Sequence, residues 1–235
     1  MKERKKVLAI IPARYGSKGV KFKNLKKINN ISLVERSIIL LKKIKDITTI
    51  AVSTDSKEIQ TIAKKYGVWC NKLRPKKISG DNSYTNEAIQ HVLKNINSRY
   101  DYVAEMHPTH PFRKKKTIEK GLKTIFNNKS LESVISVQKV LSTAHPDYII
   151  SEVNKKFYFK KSASLFSRHK LKKSAYAANA YLIITKLDNF KKYKKMIDNR
   201  NNNYYLEIPS LIENLDINNS YDLEVAQFLS KKLRI

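Results

Sequence analysis

Between Ala9 and Asn24 the chain reads AIIPARYGSKGVKFKN. An apolar run ends in proline, and a stretch with two glycines, Ser17, Arg14, Lys18, Lys21 and Lys23 follows. Gly16 and Gly19 would let the backbone approach a ligand closely. Their N–H groups and the Ser17 hydroxyl suit phosphate oxygens, and the four cations would neutralise a polyanion. The spacing is not that of a Walker A loop, G-x-x-x-x-G-K-[ST], nor G-x-G-x-x-G. No helix signal follows the glycines directly, since the first good cap is Ser32. On these residues alone the loop is either a long phosphate-binding loop of another type or a basic surface turn.

A second group lies near the C-terminus, in LDINNSYDLE. Asp216 at the mouth of a phosphate site would suit Mg²⁺, a hard ion that prefers oxygen ligands. Asp222 and Glu224 are read differently, as acids that favour the start of a helix. HPTHPFR contributes His107 and His110, but one cysteine and no further histidine at ligand spacing argue against zinc. His91 falls inside a helical pattern and is read as structural, and His145 and His169 have no evident partner. Cys70 is read as a packed thiol. No G-x-S-x-G occurs, and no Ser/His/Asp set stands out.

The elements that must position these groups follow from periodicity. VLAIIP (7–12), ITTIAVST (47–54), DYVAEM (101–106), ESVISVQ (132–138) and AYLIIT (180–185) read as strands, with VWC as a short further one. Between them, VERSIILLKKI opens on the capping box Ser32–Glu35, KEIQTIAKKYG starts at Asp55 or Ser56 and stops at Gly67, and NEAIQHVLKNI and TIEKGLKTIF follow. NNSYDLEVAQFLSKKL closes the chain as a capped helix, while YYLEIPSLIEN reads as a polar stretch. This alternation predicts an α/β fold, a Rossmann-like, mostly parallel sheet with helices on both faces. In such sheets ligands sit at the carboxyl ends of the strands. Residues 13–24, 54–56, 107–113 and the segment near Asp216 are the loops expected there. Residues 140–178 break the alternation and read as an excursion from the sheet, within a single domain spanning 1–235.

Composition narrows the class of partner. The formal charge is +28, from 48 basic and 20 acidic residues, which raises the possibility of a nucleic-acid binder. The lysines, however, recur as doublets along the whole chain and form no block or tail, and lysine outweighs arginine, the residue suited to base readout. Nucleic acid is therefore an unfavoured partner. No apolar run approaches the ~20 residues of a membrane span. VLAII is followed by Pro12 and Arg14 and reads as a strand, not a leader. One cysteine allows no internal disulfide. A cytoplasmic protein without membrane partners is expected.

Taken together, IIPARYGSKGVKFKN, VSTDSKEIQTIAKKYG, LRPKKISGDNSYT, HPTHPFR, AANAYLI and LDINNSYDLEVA resemble, in order and over nearly the whole chain, the acylneuraminate cytidylyltransferases, or CMP-sialic acid synthetases. The resemblance implies a nucleotide-diphospho-sugar transferase type of fold. It also implies attack by the anomeric hydroxyl of a 2-keto sugar acid on the α-phosphate of CTP, with Mg²⁺ assisting and pyrophosphate leaving. By the same resemblance Arg14, Lys18 and Asp216 are catalytic. Arg14, Gly16, Ser17, Lys18, Lys23, Asn24, Arg74 and Thr85 bind nucleotide. His107, Thr109, Arg168 and Asn179 hold the sugar acid, and Asp216 and Asn218 hold the metal. The excursion matches the family's dimerisation subdomain, which implies a homodimer. Nine-carbon acids of the sialic, legionaminic or pseudaminic type are favoured over the eight-carbon Kdo.

The chain departs from the family pattern in places. D-I-D is Asp216-Ile217-Asn218, Q-P-T-S-P-L-R is His107-Pro108-Thr109-His110-Pro111-Phe112-Arg113, and R-x-N-G is Ala177-Ala178-Asn179-Ala180. A position often lysine is Tyr148. The changes cluster where the sugar would sit and spare the triphosphate loop, so a retained CTP site with an altered sugar pocket is expected. Two alternatives stay open at this level: the same fold with another sugar or nucleotide or without activity, and a basic nucleic-acid binder.

Overall fold

The computed structural model describes residues 4–141, 144, 146, 150–153, 156–159, 174–198 and 202–234. Alternation along β1 (Val7–Pro12) sets the architecture. Val7, Ala9 and Ile11 point to one face of the sheet and Leu8 and Ile10 to the other, all of them fully buried. A strand apolar on both faces has to lie inside a sheet covered on both sides. β1 indeed pairs in parallel with β4 (Thr49–Ser53) and with β5 (Tyr102–Glu105).

The hairpin of β2 (Lys27–Ile28) and β3 (Ile31–Ser32) lies between β1 and β4 in sequence. Its turn residues Asn29 and Asn30 both take positive φ, the requirement of a two-residue hairpin loop. The other strands of the main sheet are β6 (Ser133–Lys139), β9 (Tyr176–Lys186) and β10 (Asn203–Glu207). The order is β10-β6-β9-β5-β1-β4. Only β9 runs antiparallel to its neighbours, so the sheet is mostly parallel, as expected. β7 (Ile150–Val153) and β8 (Lys156–Phe159) form a separate antiparallel pair within the excursion.

α1 (Leu33–Lys42), α2 (Lys57–Lys65) and α4 (Lys115–Asn127) pack on one face, where Ile38, Ile59 and Leu122 join the core. α3 (Thr85–Asn95) and α5 (Leu187–Tyr193) cover the other through Ile89, Val92 and Phe190. α1 begins at the expected capping box: the Ser32 hydroxyl accepts from Glu35 N–H and the Glu35 carboxylate accepts from Ser32 N–H. Ser56, not Asp55, caps α2, and Gly67 beyond its end has φ +66°.

A third, smaller core gathers Val20, Ile28, Leu33, Phe112, Ile217 and Ala226, the last from α6 (Ser220–Leu233). It fixes the loop after β1, the loop after β5 and the chain around Ile217 against one another. Glu213 adds polar ties, accepting from the Tyr181 and Thr117 hydroxyls and pairing with Lys114. The groups singled out in the sequence are thereby brought to the carboxyl edge of the sheet.

Two expectations are corrected. VWC is not a strand: Trp69 makes a single bridge to Ala51 before the chain turns away. YYLEIP does contain one, β10, an edge strand whose Tyr204 and Tyr205 are exposed, so that apolar alternation is absent. The short α5 had no sequence signal of its own, starting directly where β9 ends.

Candidate functional site

At that edge lies a cavity of about 370 Å³, within the size range of small-molecule sites. Arg14, Ser17, Lys18, Gly19, Lys23, Asn24, Arg74, Thr85, His107 and Thr109 are among the residues that line it. Three segments distant in sequence thus converge, 12–24, 74–85 and 107–109, while neither 54–56 nor the segment near Asp216, both expected at this edge, lines the cavity.

The loop after β1 is held by its own side chains. Asn24 is buried, and its amide donates to the Arg14 carbonyl at 2.9 Å. The Lys23 ammonium donates to the Ile217 carbonyl at 2.7 Å, and burial pushes its pKa down against the opposing charge of Asp216. Asp55 accepts from Tyr15 N–H at 2.8 Å, bracing this loop from the end of β4. Gly19 has the clearest reason to be glycine: a Cβ there would lie 1.9 Å from the carbonyl oxygen of Asn218. Gly16 has no such neighbour and does not line the cavity.

The charge distribution favours an anion. Arg14 and Lys18 both reach the Asp81 carboxylate, at 2.6 and 3.4 Å, and the Arg14 bond leads the interactions that hold the Asp81 carboxyl below its ordinary range. Arg74 is buried, with its Nε and Nη2 hydrogens unpartnered. Burial pulls its pKa down while Asp55 opposes. Unpaired buried donors are costly, and a bound acceptor would relieve them. Asp81 carried only a weak sequence signal, a lone acid in the basic loop LRPKKISGDNSYT.

Asp216 sits behind this cavity, outside its lining. The Ile217 N–H bonds to the Thr109 carbonyl at 2.9 Å, which fixes the carboxylate beside the loop after β5. Burial alone would raise the Asp216 pKa, but His110, then the Thr109 and Asn218 donors and Lys23, outweigh it and hold it low. Its Oδ2 accepts from the Asn218 amide at 3.0 Å, while its Oδ1 is buried without a hydrogen-bond partner. His110 Nδ1 stands 3.7 Å from that oxygen. This contact is no ion pair, because burial, then Arg113, pushes the imidazole pKa well down and leaves it neutral.

Asp222 performs the helix role expected of it, accepting from the Asn218 and Asn219 N–H groups at the start of α6. Glu224 is exposed on that helix. Cys70 is buried, and burial pushes its thiol up to about 11, which fits a packed residue.

On the sugar side the picture is less complete. Asn179 is not among the lining residues. Its amide oxygen accepts from Ser136 at 2.5 Å and its nitrogen donates to Asn214 at 2.9 Å, two residues before Asp216. Arg168, Tyr148, His145 and His169 lie outside the described residues. Among the described residues no cluster of three or more His, Cys, Asp or Glu could hold a metal without help. A single carboxylate nonetheless suits Mg²⁺, which is commonly bound by one or two carboxylates together with substrate phosphates. Among the same residues no helix is long and apolar enough to cross a membrane.

Comparison with known proteins agrees with this geometry. The family described as cytidylyltransferase matches residues 8–226. A post-translational flagellin modification protein B of Campylobacter coli is 27% identical over 96% of this chain and 95% of its own. An N-acylneuraminate cytidylyltransferase of Escherichia coli O18:K1:H7 is 27% identical over 97% of this chain, which spans 53% of that longer protein. Among solved structures, a CMP:2-keto-3-deoxy-manno-octonic acid synthetase complexed with CTP superposes with a TM-score of 0.73 at 16% identity, covering 97% of this chain and 99% of that one. At that identity the likeness speaks for the fold.

Proposed function

The chain belongs to the cytidylyltransferase family, and from that premise we propose that it joins CTP to a 2-keto sugar acid of the sialic, legionaminic or pseudaminic type, giving a CMP-sugar acid and pyrophosphate. The observation that carries this reading is the cavity at the sheet edge lined by Arg14, Lys18, Lys23 and the buried, donor-rich Arg74. Four cations around one cavity suit a triphosphate better than any single carboxylate.

In this reading the polyphosphate takes over Arg14 and Lys18 from Asp81. Transfer of a nucleotidyl group needs in-line positioning and neutralisation of charge more than covalent catalysis. Arg14 and Lys18 stabilise charge building on the α-phosphate and on leaving pyrophosphate. Lys23 and Asn24 keep the loop in shape, and His107 and Thr109 face the sugar. Mg²⁺ would be held by Asp216, with Asn218 beside it, and would supply further charge neutralisation on the phosphates.

The same reading includes a homodimer assembled through residues 140–178. Its support is that this segment leaves the main sheet between β6 and β9, and that its described strands pair only with each other. A cytoplasmic location also belongs to it, because CTP is made there. The test supplies CTP, Mg²⁺ and a panel of nine- and eight-carbon keto sugar acids, with pyrophosphate release and product mass as readouts. A CMP-sugar from one acid supports the assignment. CTP binding without product from any acid, or no CTP binding, overturns it.

Asn218 gives a separate prediction. Its amide now donates to Asp216, which adds no charge to the metal site. Asn218→Asp should tighten Mg²⁺ several-fold, lowering the Mg²⁺ concentration that gives half-maximal activity, because a second carboxylate adds charge to a hard-cation site. An unchanged Mg²⁺ titration would remove Asn218 from the metal site.

A further inference from the structure

Glu105 and His107 form a pair whose acid–base chemistry the functions assigned so far leave unused. Glu105 is the last residue of β5, only 5% exposed, in a strand otherwise apolar. A buried carboxylate needs compensation. Its Oε1 lies 2.5 Å from His107 Nε2. An ionised carboxylate only accepts hydrogen bonds, so Nε2 carries a proton, and in the neutral imidazole Nδ1 keeps its lone pair. Among the described residues no group bonds to Nδ1. The imidazole lines the cavity, and its side chain is 28% exposed. It is therefore a base of fixed orientation, open to a ligand on one side and held by a buried carboxylate on the other.

We propose that His107 accepts the proton of the attacking sugar hydroxyl and that Glu105 is the residue that positions it. The proposal rests on the nucleotidyl-transfer reading above. As the hydroxyl oxygen forms its bond to the α-phosphorus, its proton passes to Nδ1. The bond from that phosphorus to the bridging oxygen of pyrophosphate breaks, and pyrophosphate leaves with the electron pair. The resulting imidazolium is stabilised by Glu105 and returns its proton to solvent after product leaves. A positioned imidazole is the side chain most often used for such a transfer.

The other charged or titratable groups facing this cavity are Arg14, Lys18 and Lys23 from the first loop and Arg74, Asp81 and Tyr84 from the 74–85 segment; His110, outside the lining, interacts electrostatically with His107. Burial, then Arg113, lowers the His110 pKa to about 3, which leaves that imidazole neutral across the range assayed.

The experiment compares the intact wild-type protein, His107→Gln and Glu105→Gln with CTP, Mg²⁺ and the best sugar acid of the panel, from pH 5 to 9. His107→Gln should lose about 10²-fold in kcat, as removal of a general base does, with KM for CTP nearly unchanged. Glu105 is read by long-range ¹⁵N–¹H correlation of the imidazoles, which is independent of activity. Wild-type His107 should be the Nε2–H tautomer, and Glu105→Gln should give a mixture. Circular dichroism confirms that each variant folds. A kcat for His107→Gln within ten-fold of the wild type, or a wild-type His107 protonated on Nδ1 instead, overturns the inference while leaving nucleotidyl transfer standing. A wild-type protein that makes no CMP-sugar from any acid overturns both.

Discussion

Arg14→Ala should lower kcat/KM for CTP by roughly 10²–10³-fold, the scale of losing one preorganised charge donor at a reacting centre. The reason lies in how the guanidinium is held. Its backbone carbonyl is fixed by the buried Asn24 amide, and its Nη1 already grips an anion, Asp81, at 2.6 Å. An arginine placed in this way meets the α-phosphate without reorganising, so the loss should fall mainly in kcat, where charge develops, and less in KM. Arg14→Lys should recover only part of the rate, because an ammonium cannot offer the two-pronged geometry. Asp81 supplies the internal comparison. Its carboxylate competes with the triphosphate for Arg14 and Lys18, so Asp81→Asn should lower KM for CTP a few-fold. The effect is small because Asp81 is solvent-exposed and Arg14 only half-buried, and ion pairs so close to solvent are weak. Steady-state kinetics on the three variants measures this. A fall in kcat of less than ten-fold for Arg14→Ala would remove that residue from the transition state.

Much of this site could be read before any coordinates, and the reasons are local. The loop after β1 announced itself by glycine, proline and clustered cations, all of which act within a few residues. The capping boxes at Ser32 and around Asn219 were equally local, and both formed. What escaped depends on partners far away in sequence. Glu105 looked like one more residue of a strand, and only the fold shows that its carboxylate is buried against His107. Asp81 belongs to Arg14, which lies 67 positions earlier. β10 lacks an apolar alternation because it is an edge strand, and its register is set entirely by pairing with β6. Gly19 and Gly16 look alike in sequence, yet only Gly19 is pressed against the backbone of residue 218. Asn179 was expected at the sugar, and its amide is instead committed to Ser136 and Asn214.

The sharpest test of what holds the site together is Arg113, a fully buried cation beside His110. Its Nε donates to the Tyr181 carbonyl at 2.7 Å, Nη2 to the Ala180 carbonyl at 3.0 Å, and Nη1 to the His110 carbonyl at 3.4 Å. Its guanidinium carbon also lies 5.3 Å from the centre of the Tyr181 ring. Burial lowers its pKa to about 10, so the charge persists at neutral pH and is compensated by carbonyl dipoles, Tyr181 and the more distant Asp216. A buried cation by itself is often a net cost, and an apolar residue of equal volume can replace some buried ion pairs without loss. That exchange should fail here, because three carbonyls would be left without donors, and each hydrogen bond from a charged group contributes ~1.5–3 kcal/mol. Arg113→Met should therefore destabilise the protein by about 3–5 kcal/mol, seen as a fall in Tm of roughly 6–20 °C for a chain of this size. Arg113→Lys should recover only part of this, since one ammonium cannot span β9 and the loop after β5. The same bonds fix the loop that carries His107, Thr109 and His110, so catalysis should fall even below the melting transition of each variant. An Arg113→Met protein as stable and active as the wild type would mean that packing alone positions this edge of the sheet.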